Sequence, residues 1–390
     1  MLVTSLVLAS LLGQAQPAPE GAAPASPGVQ AAATPPTMPM PVEAKPLPPP
    51  FVPKVTPYGF IDFQYSRLDA PSPKPDVNTF EFRRARIGLK GDVTREFGFA
   101  IIYDGADTSL KDAFITLRYV PTVEVRVGQF KTPFGYEQQE SDTKLLWLYN
   151  SYVVAALARG TDSRDEGAVG SGKWSLGGPL SADLAGAYVN GAGPNQKDNL
   201  DDKNAWARGG VSMTAGGTTT RLGASYGYGH QVQTVGTDAK FGIQGSGASA
   251  TLDDTYFYFH TAGADLTFDS PWVFLAAEWI ESKRHVTRYT APATFTTSDI
   301  QPKGWYVGAY TKSPWNCGLI GRAEKAQLPT SSGAAQGTAL LPKWNERYTV
   351  GAYYDVVPVN ARFVLNYELD ESPAAQATGN RLILFAQVVF

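Results

Sequence analysis

The sequence predicts an all-β protein, a transmembrane antiparallel β-barrel of about sixteen strands, and three observations carry that reading. From Tyr58 to Phe390 apolar residues recur with a period of two, not 3.6. The segments with that period are close to the roughly 9–11 residues that a tilted strand needs to cross a bilayer. The connections alternate long and short, as in a barrel whose turns sort to the two sides of a membrane; a sandwich has no reason to sort them.

Composition agrees. The 390 residues are 43% hydrophobic and only 18% charged, with 39 Gly, 19 Tyr and 19 Phe, a mix that favours pleated surfaces. A net charge of -3 excludes a nucleic-acid partner bound through bulk positive charge. The lone Cys317 excludes a disulfide framework. His230, His260 and His285 are widely spaced, in no metal-ligand pattern, so neither a metal nor a cofactor is expected.

Taken in order, residues 1–15, MLVTSLVLASLLGQA, read as a signal peptide with a small-x-small cleavage site after Ala15. No Lys or Arg precedes the apolar run, so either the charged start is poor or the true start lies upstream. Residues 16–57 hold 14 of the 29 prolines with Ala between them, the composition of a disordered, extended periplasmic linker. The barrel domain is then 58–390. Its strands are expected at 58–67, 79–90, 96–103, 112–119, 123–130, 165–174, 180–189, 205–214, 219–228, 255–267, 271–281, 303–312, 315–324, 345–355, 359–369 and 381–390. Short connections such as DVTRE, VPT, DSP and KSP intervene between long ones such as SRLDAPSPKPDVN and KAQLPTSSGAAQGTALLPKWN.

Within strands, one face is apolar and the other wet. Ala113, Ile115 and Leu117 alternate with Asp112, Phe114, Thr116 and Arg118; Val125 and Val127 alternate with Glu124 and Arg126; Phe363, Leu365 and Tyr367 alternate with Arg362, Asn366 and Glu368. A lipid-facing stripe opposite a water-facing stripe is what a closed barrel in hydrocarbon requires. In FEFRRARIGLKGD, Ala85, Ile87 and Leu89 then face lipid while Arg84, Arg86 and Lys90 face the lumen, and Arg83 and Glu81 fall toward the outer rim. Arginines on the wet face have two readings. They brace the wall against Asp62, Asp112, Glu124 and Glu368, or they leave a field that favours anions.

The third long connection, 131–164, has an acidic start at Asp142, a dense apolar middle, and Arg159 and Gly160 at its end, which are helix start and stop signals. Leu145, Leu146, Trp147 and Leu148 in succession require a wall or a neighbouring subunit to cover them. The expectation is an inward-folded loop with a short helix that narrows the lumen. The alternative is a subunit-contact loop. The chain ends on RLILFAQVVF, and its terminal Phe390 resembles the signal read by the outer-membrane barrel-assembly machinery.

FEFRRARIGLKGD, DAFITLRY, VEVRVGQFKTPFGYEQQES and SRDEG together resemble the phosphate-selective porin O and P family of Gram-negative outer membranes. The likeness is clear from about Tyr58 to Gly172 and in the final strand, and VGQFKTPFG (Val127 to Gly135) is its most specific piece. The resemblance implies a sixteen-stranded barrel in the outer membrane, usually a homotrimer. It also implies a constriction loop inside the pore and basic residues along an anion path. On this chain that path would be lined by Arg84, Arg86, Lys90, Arg118, Arg126 and Arg362. Its constriction would carry Lys131, Tyr136, Lys144, Arg159 and Arg164. Two features depart from the family pattern. A Pro-Ala stretch stands where family members often have a coiled coil, and the third loop carries Glu137, Glu140, Asp142 and Asp162 among its cations. The function expected is passive diffusion of small hydrophilic solutes, favouring anions such as phosphate, with outer-membrane lipid as the surrounding partner. No catalytic constellation stands out, so the chain reads as a non-enzyme. The rival readings are a barrel enzyme and a surface adhesin with a plugged lumen.

Overall fold

The computed structural model describes residues 51–71, 74–158, 163–198, 201–233, 255–291, 294–330, 341–372 and 378–390. The expected signal peptide and most of the expected linker lie outside the described residues. The first strands are β1 (Lys54–Asp69), β2 (Val77–Asp92), β3 (Phe97–Asp104), β4 (Ser109–Leu117) and β5 (Val123–Lys131). A short helix, α1 (Tyr152–Leu157), precedes β6 (Arg164–Gly177), β7 (Leu180–Val189), β8 (Asn204–Ala215) and β9 (Thr218–Gln233). Then come β10 (Thr255–Asp269), β11 (Val273–Ala291), β12 (Thr294–Ile300) and β13 (Lys303–Thr311). The chain closes with β14 (Cys317–Thr330), β15 (Leu341–Val357), β16 (Ala361–Asp370) and β17 (Asn380–Val389).

Neighbours pair antiparallel throughout, and β17 pairs with β1 from Phe60↔Val389 to Asp69↔Asn380, so the sheet closes on itself. β12 and β13 occupy one position in the wall. The outer part of β11 pairs with β12 and its inner part with β13, and Pro302, which has no N–H to donate, breaks the stave between them. Seventeen segments therefore build the sixteen-stranded antiparallel barrel that the periodicity predicts.

Differences fall at strand ends. β1 begins at Lys54, so the last four residues of the expected linker pair with Asp92 to Leu89 of β2. Pro57 is accommodated because the ladder to β17 starts only at Phe60, leaving its other side unpaired. The strand expected to stop at 281 continues to Ala291 and folds back on β12 as a tall hairpin, and His285 lies within it. His230 likewise sits in β9. The stretch 234–254 and residues 331–340 lie outside the described residues.

The outer face is apolar, with Ile61, Ile87, Ile115, Val127, Leu184, Leu222, Val350 and Leu365 all exposed to the lipid side. Trp272, Trp315 and Tyr119 ring the short-turn end, and Tyr226, Tyr228 and Tyr258 lie toward the long-loop end, as interfacial girdles do. Cys317 opens β14 two residues before the outward-pointing Leu319, so its thiol shares that outward face, 3.5 Å from Ser313 Oγ. It is expected to react slowly with a charged maleimide in intact membranes. Rapid labelling would mean the register of β14 is slipped by one residue, which reverses every side chain.

One irregularity positions the site. Asp62 of β1 pairs with Arg84, but Phe63 pairs with Phe82, so Arg83 is an extra residue bulged out of β2. A bulge re-aims side chains. Phe80 and Phe82 face lipid before it, Ile87 and Leu89 after it, and Arg83, Arg84 and Arg86 all turn inward. The placement of Arg83 and Glu81 at the outer rim is thus corrected: Glu81 accepts from Gln64 Nε2 at 2.6 Å on the inner face.

Candidate functional site

The connection between β5 and β6, the third long loop, lies inside the barrel. Its apolar residues are buried against the inner faces of distant strands. Phe134, Leu145, Trp147, Val153, Val154 and Leu157 form one core with Trp206, Phe259, Phe274, Ile280 and Tyr306. Leu146 and Leu148 form another with Ile320, Tyr353, Val364 and Phe385. The inner face of the β8–β17 half is therefore greasy where the loop lies on it. Trp147 is 1% exposed, with ring centroids 6.2 Å from Tyr306 and 6.5 Å from Phe274. A Cβ on Gly308 would come within 2.8 Å of that indole, so glycine is what lets the ring lie flat on β13.

The helix is shorter than the sequence signals suggest. Ser151, not Asp142, caps it, its Oγ accepting from Val154 N at 3.2 Å. Asp142 is engaged elsewhere, and residues 142–150 lie as turns along the wall, with their apolar side chains seated in two separate clusters. Arg159, Gly160 and Asp162 lie outside the described residues.

Buried polar groups fix the loop to the wall. Glu137 Oε2 accepts from Ser151 N and Oγ, both at 2.9 Å, and its Oε1 accepts from Trp147 Nε1 at 2.7 Å. Burial pushes the Glu137 carboxyl up, against the pull of Arg322 and of the Ser151 donors. Arg322 of β14 donates to Tyr149 O at 2.7 Å and to Glu324 at 3.0 Å, and Arg284 of β11 donates to Ala156 O at 2.7 Å. Asn366 holds Leu146 O at 3.0 Å, and Arg362 holds Thr143 O at 3.2 Å while pairing with Asp355.

The loop's other edge faces the β1–β6 wall, where the charges gather. Asp142 accepts from Arg84 at 3.3 Å and from Arg86 Nη1; Arg84 also meets Asp62 at 3.3 Å, and Arg86 meets Asp104 at 2.8 Å. Burial opposes ionisation of Asp142, but the charges of Arg84, Lys131, Arg86 and Arg164 outweigh it and hold the carboxyl well below the usual range. Arg164 grips Asp112 through two bonds of 3.0 Å. Lys131 Nζ donates to the Glu140 carbonyl at 2.6 Å. Arg83 donates to Leu148 O at 2.8 Å and stacks over the Tyr149 ring at 3.7 Å, and Arg381 lies 4.6 Å from the same ring. A polar cavity of about 200 Å³ opens among Arg83, Arg84, Arg86, Lys111, Lys131 and Arg164. A second, of about 420 Å³, continues past Lys90, Phe114 and Arg126 toward the short-turn side. Around the first, those six cations meet Asp62, Asp104, Asp107, Asp112 and Asp142, leaving one formal positive charge in excess.

Most of the expected lining residues face the lumen, in two different states. Arg84, Arg86, Arg118, Arg126 and Arg362 are all in ion pairs; Arg118 bridges Asp92 at 2.6 Å and Glu124 at 3.0 Å near the short turns, and Arg126 meets Glu124 at 2.6 Å. Lys144 pairs with Glu140 at 3.2 Å. Arg83, Lys90, Lys131 and Arg381 have no carboxylate partner among the described residues; Lys90 lies 5.2 Å from the Tyr58 ring. Tyr136 packs on Phe274 with centroids 6.0 Å apart, beside a cavity of about 400 Å³ that Arg208 and Arg221 also line. Arg381 was not singled out from the sequence, and Arg83 was expected at the outer rim. For Arg83 the signal was present: the apolar phase shifts from Phe80 and Phe82 to Ala85, Ile87 and Leu89, which only an inserted residue produces.

The family profile of phosphate-selective porin O and P matches residues 55–311. No curated protein sequence matches the chain. Among solved structures, in-vitro folded OmpT of Vibrio cholerae aligns with a TM-score of 0.57 at 11% identity, over 87% of this chain and 98% of that one. A trimer form of OmpT from the same organism gives 0.54 at 13% identity, over 87% and 100%. An anion-selective porin from Comamonas acidovorans gives 0.53 at 14% identity, also over 87% and 100%. At such identities the likeness is one of fold.

Proposed function

This chain belongs to the phosphate-selective porin O and P family of the Gram-negative outer membrane, and on that basis we propose that it passes small hydrophilic solutes by diffusion with a preference for anions such as phosphate. The observation that carries the preference is the wall opposite the seated loop. Cations there exceed carboxylates by one, and Arg83, Lys90 and Lys131 have no carboxylate partner among the described residues. A narrow wet passage with low-dielectric walls focuses such a field. The paired arginines offset the carboxylates of the wall, and the cations without a carboxylate partner leave the excess. Residues 1–15 would direct export and 16–57 would act as a periplasmic spacer. Phe390 would be read during barrel assembly. A homotrimer is the assembly we propose, in keeping with the trimer form of OmpT.

Reversal potentials in a KCl gradient across a planar bilayer test this. The native pore is expected to conduct steadily and to favour chloride. Lys90→Gln with Lys131→Gln removes two charges; at about 8 Å and an effective dielectric of about 40, each is worth about 1 kcal/mol, so the preference should fall roughly thirtyfold. A cation-selective native pore, or no change on removing both lysines, would sink the assignment.

A further inference from the structure

The third loop is held at one end by carboxylates that lack enough cations to balance them. Glu137, Glu278 and Glu324 are each at most 3% exposed, and Arg322 is the guanidinium bonded among them, to Glu324 at 3.0 Å and Glu137 at 3.5 Å. Glu278 of β11 spends one oxygen on the loop itself. Its Oε1 accepts the backbone N–H of Tyr136 and, at 2.7 Å, that of Glu137, while Oε2 is buried with no partner among the described residues. Gly135, at φ +61°, completes the seat: a Cβ there would lie 3.1 Å from Glu278 Oε1, and its N–H donates to Ser225 Oγ at 3.0 Å. That gives the Phe-Gly pair of the VGQFKTPFG stretch a physical task. It lays a turn directly on a buried carboxyl group. At the other end of the loop, Glu324 accepts the Tyr152 N–H.

Among the described residues, the other charged groups near this site are already matched. Arg208 of β8 and Arg221 of β9 both bond Asp265 of β10, Arg221 also pairs with Asp183 of β7 at 2.7 Å, Arg347 of β15 lies 3.8 Å from Glu368, and Tyr306 of β13 presents a buried hydroxyl. Among the described residues, full ionisation of the three glutamates would therefore leave two uncompensated negative charges in a buried pocket, which is strongly unfavourable. Protons remove that cost, and the upward push of burial on Glu137 acts in the same sense.

We propose that Glu278, with Glu137 and Glu324, forms a proton-dependent latch that positions the third loop across the pore and releases it as the pH rises, widening the channel. This rests on the porin reading. The sign follows from which state holds the proton. The latched loop favours the protonated acids, so it is secure at lower pH and is lost as the pH rises through the range to which burial has raised Glu137. Deprotonation of the lumen lysines over the same range would lower anion current, so a rise cannot come from them.

The test is single-channel conductance of the full-length protein in planar bilayers from about pH 6 to about pH 10. The native pore should step upward in conductance as the solution becomes alkaline. Glu278→Gln keeps an acceptor oxygen for the two N–H groups and cannot ionise, so it should hold the lower, neutral-pH conductance throughout. A native profile without the step, or the same step in Glu278→Gln, overturns the latch. Should Glu278→Gln not assemble, Glu137→Gln removes one surplus charge and should move the step to higher pH; an unmoved midpoint overturns the proposal equally. A folded native barrel that conducts at no pH removes the porin reading and the latch with it, whereas a conducting pore with a flat profile removes only the latch.

Discussion

Replacing Arg84 and Arg86 together by alanine is expected to turn the pore toward cations. These two guanidiniums stand among Asp62, Asp104 and Asp142, and each is shared between two of them. Without them the local balance of six cations against five carboxylates becomes four against five. Two unit charges at about 8 Å in an effective dielectric of about 40 change the energy of a passing ion by about 2 kcal/mol, roughly thirtyfold in relative permeability. The same KCl-gradient measurement reads it at neutral pH. An unmoved reversal potential would mean that ions pass beyond the reach of these side chains. The effect should exceed that of the two lysines, because the arginine change also uncovers acids.

Trp147→Ala should free the third loop while leaving the barrel standing. Deleting a fully buried Trp costs about 3–5 kcal/mol, and here the lost contacts are to Phe274, Tyr306 and the bare backbone at Gly308, along with the indole bond to Glu137. The wall's strand ladders do not run through the loop, so that cost falls on the docked state of the loop. It amounts to about two to nearly four orders of magnitude in the docking equilibrium constant. Larger and noisier single-channel conductance, with faster hydrogen exchange between residues 133 and 158, is the expected result. Unchanged conductance would show that the loop does not set the narrowest point.

The sequence by itself determined the barrel. Period-two alternation, strand lengths near a tilted span and loops sorted by parity leave few other folds, because an unpaired backbone group cannot remain in hydrocarbon. The inward turn of Arg84 and Arg86 was legible for the same reason, and the bulge at Arg83 was written in the phase shift between Phe82 and Ala85. The third loop's inward course could be read from LLWL, which needs cover. Its helix could not be placed, because cap signals at Asp142 compete with guanidiniums that only the closed wall supplies. Tertiary structure alone decided which charges are spent. Gln387 reaches Asp62 across 325 positions and Arg322 reaches Glu137 across 185, contacts that exist only once the last strand has closed on the first and every register is set. Whether a lumen arginine braces or attracts depends on such partners, since a charge's field is cancelled by its neighbours in space, and closure of the barrel chooses those neighbours.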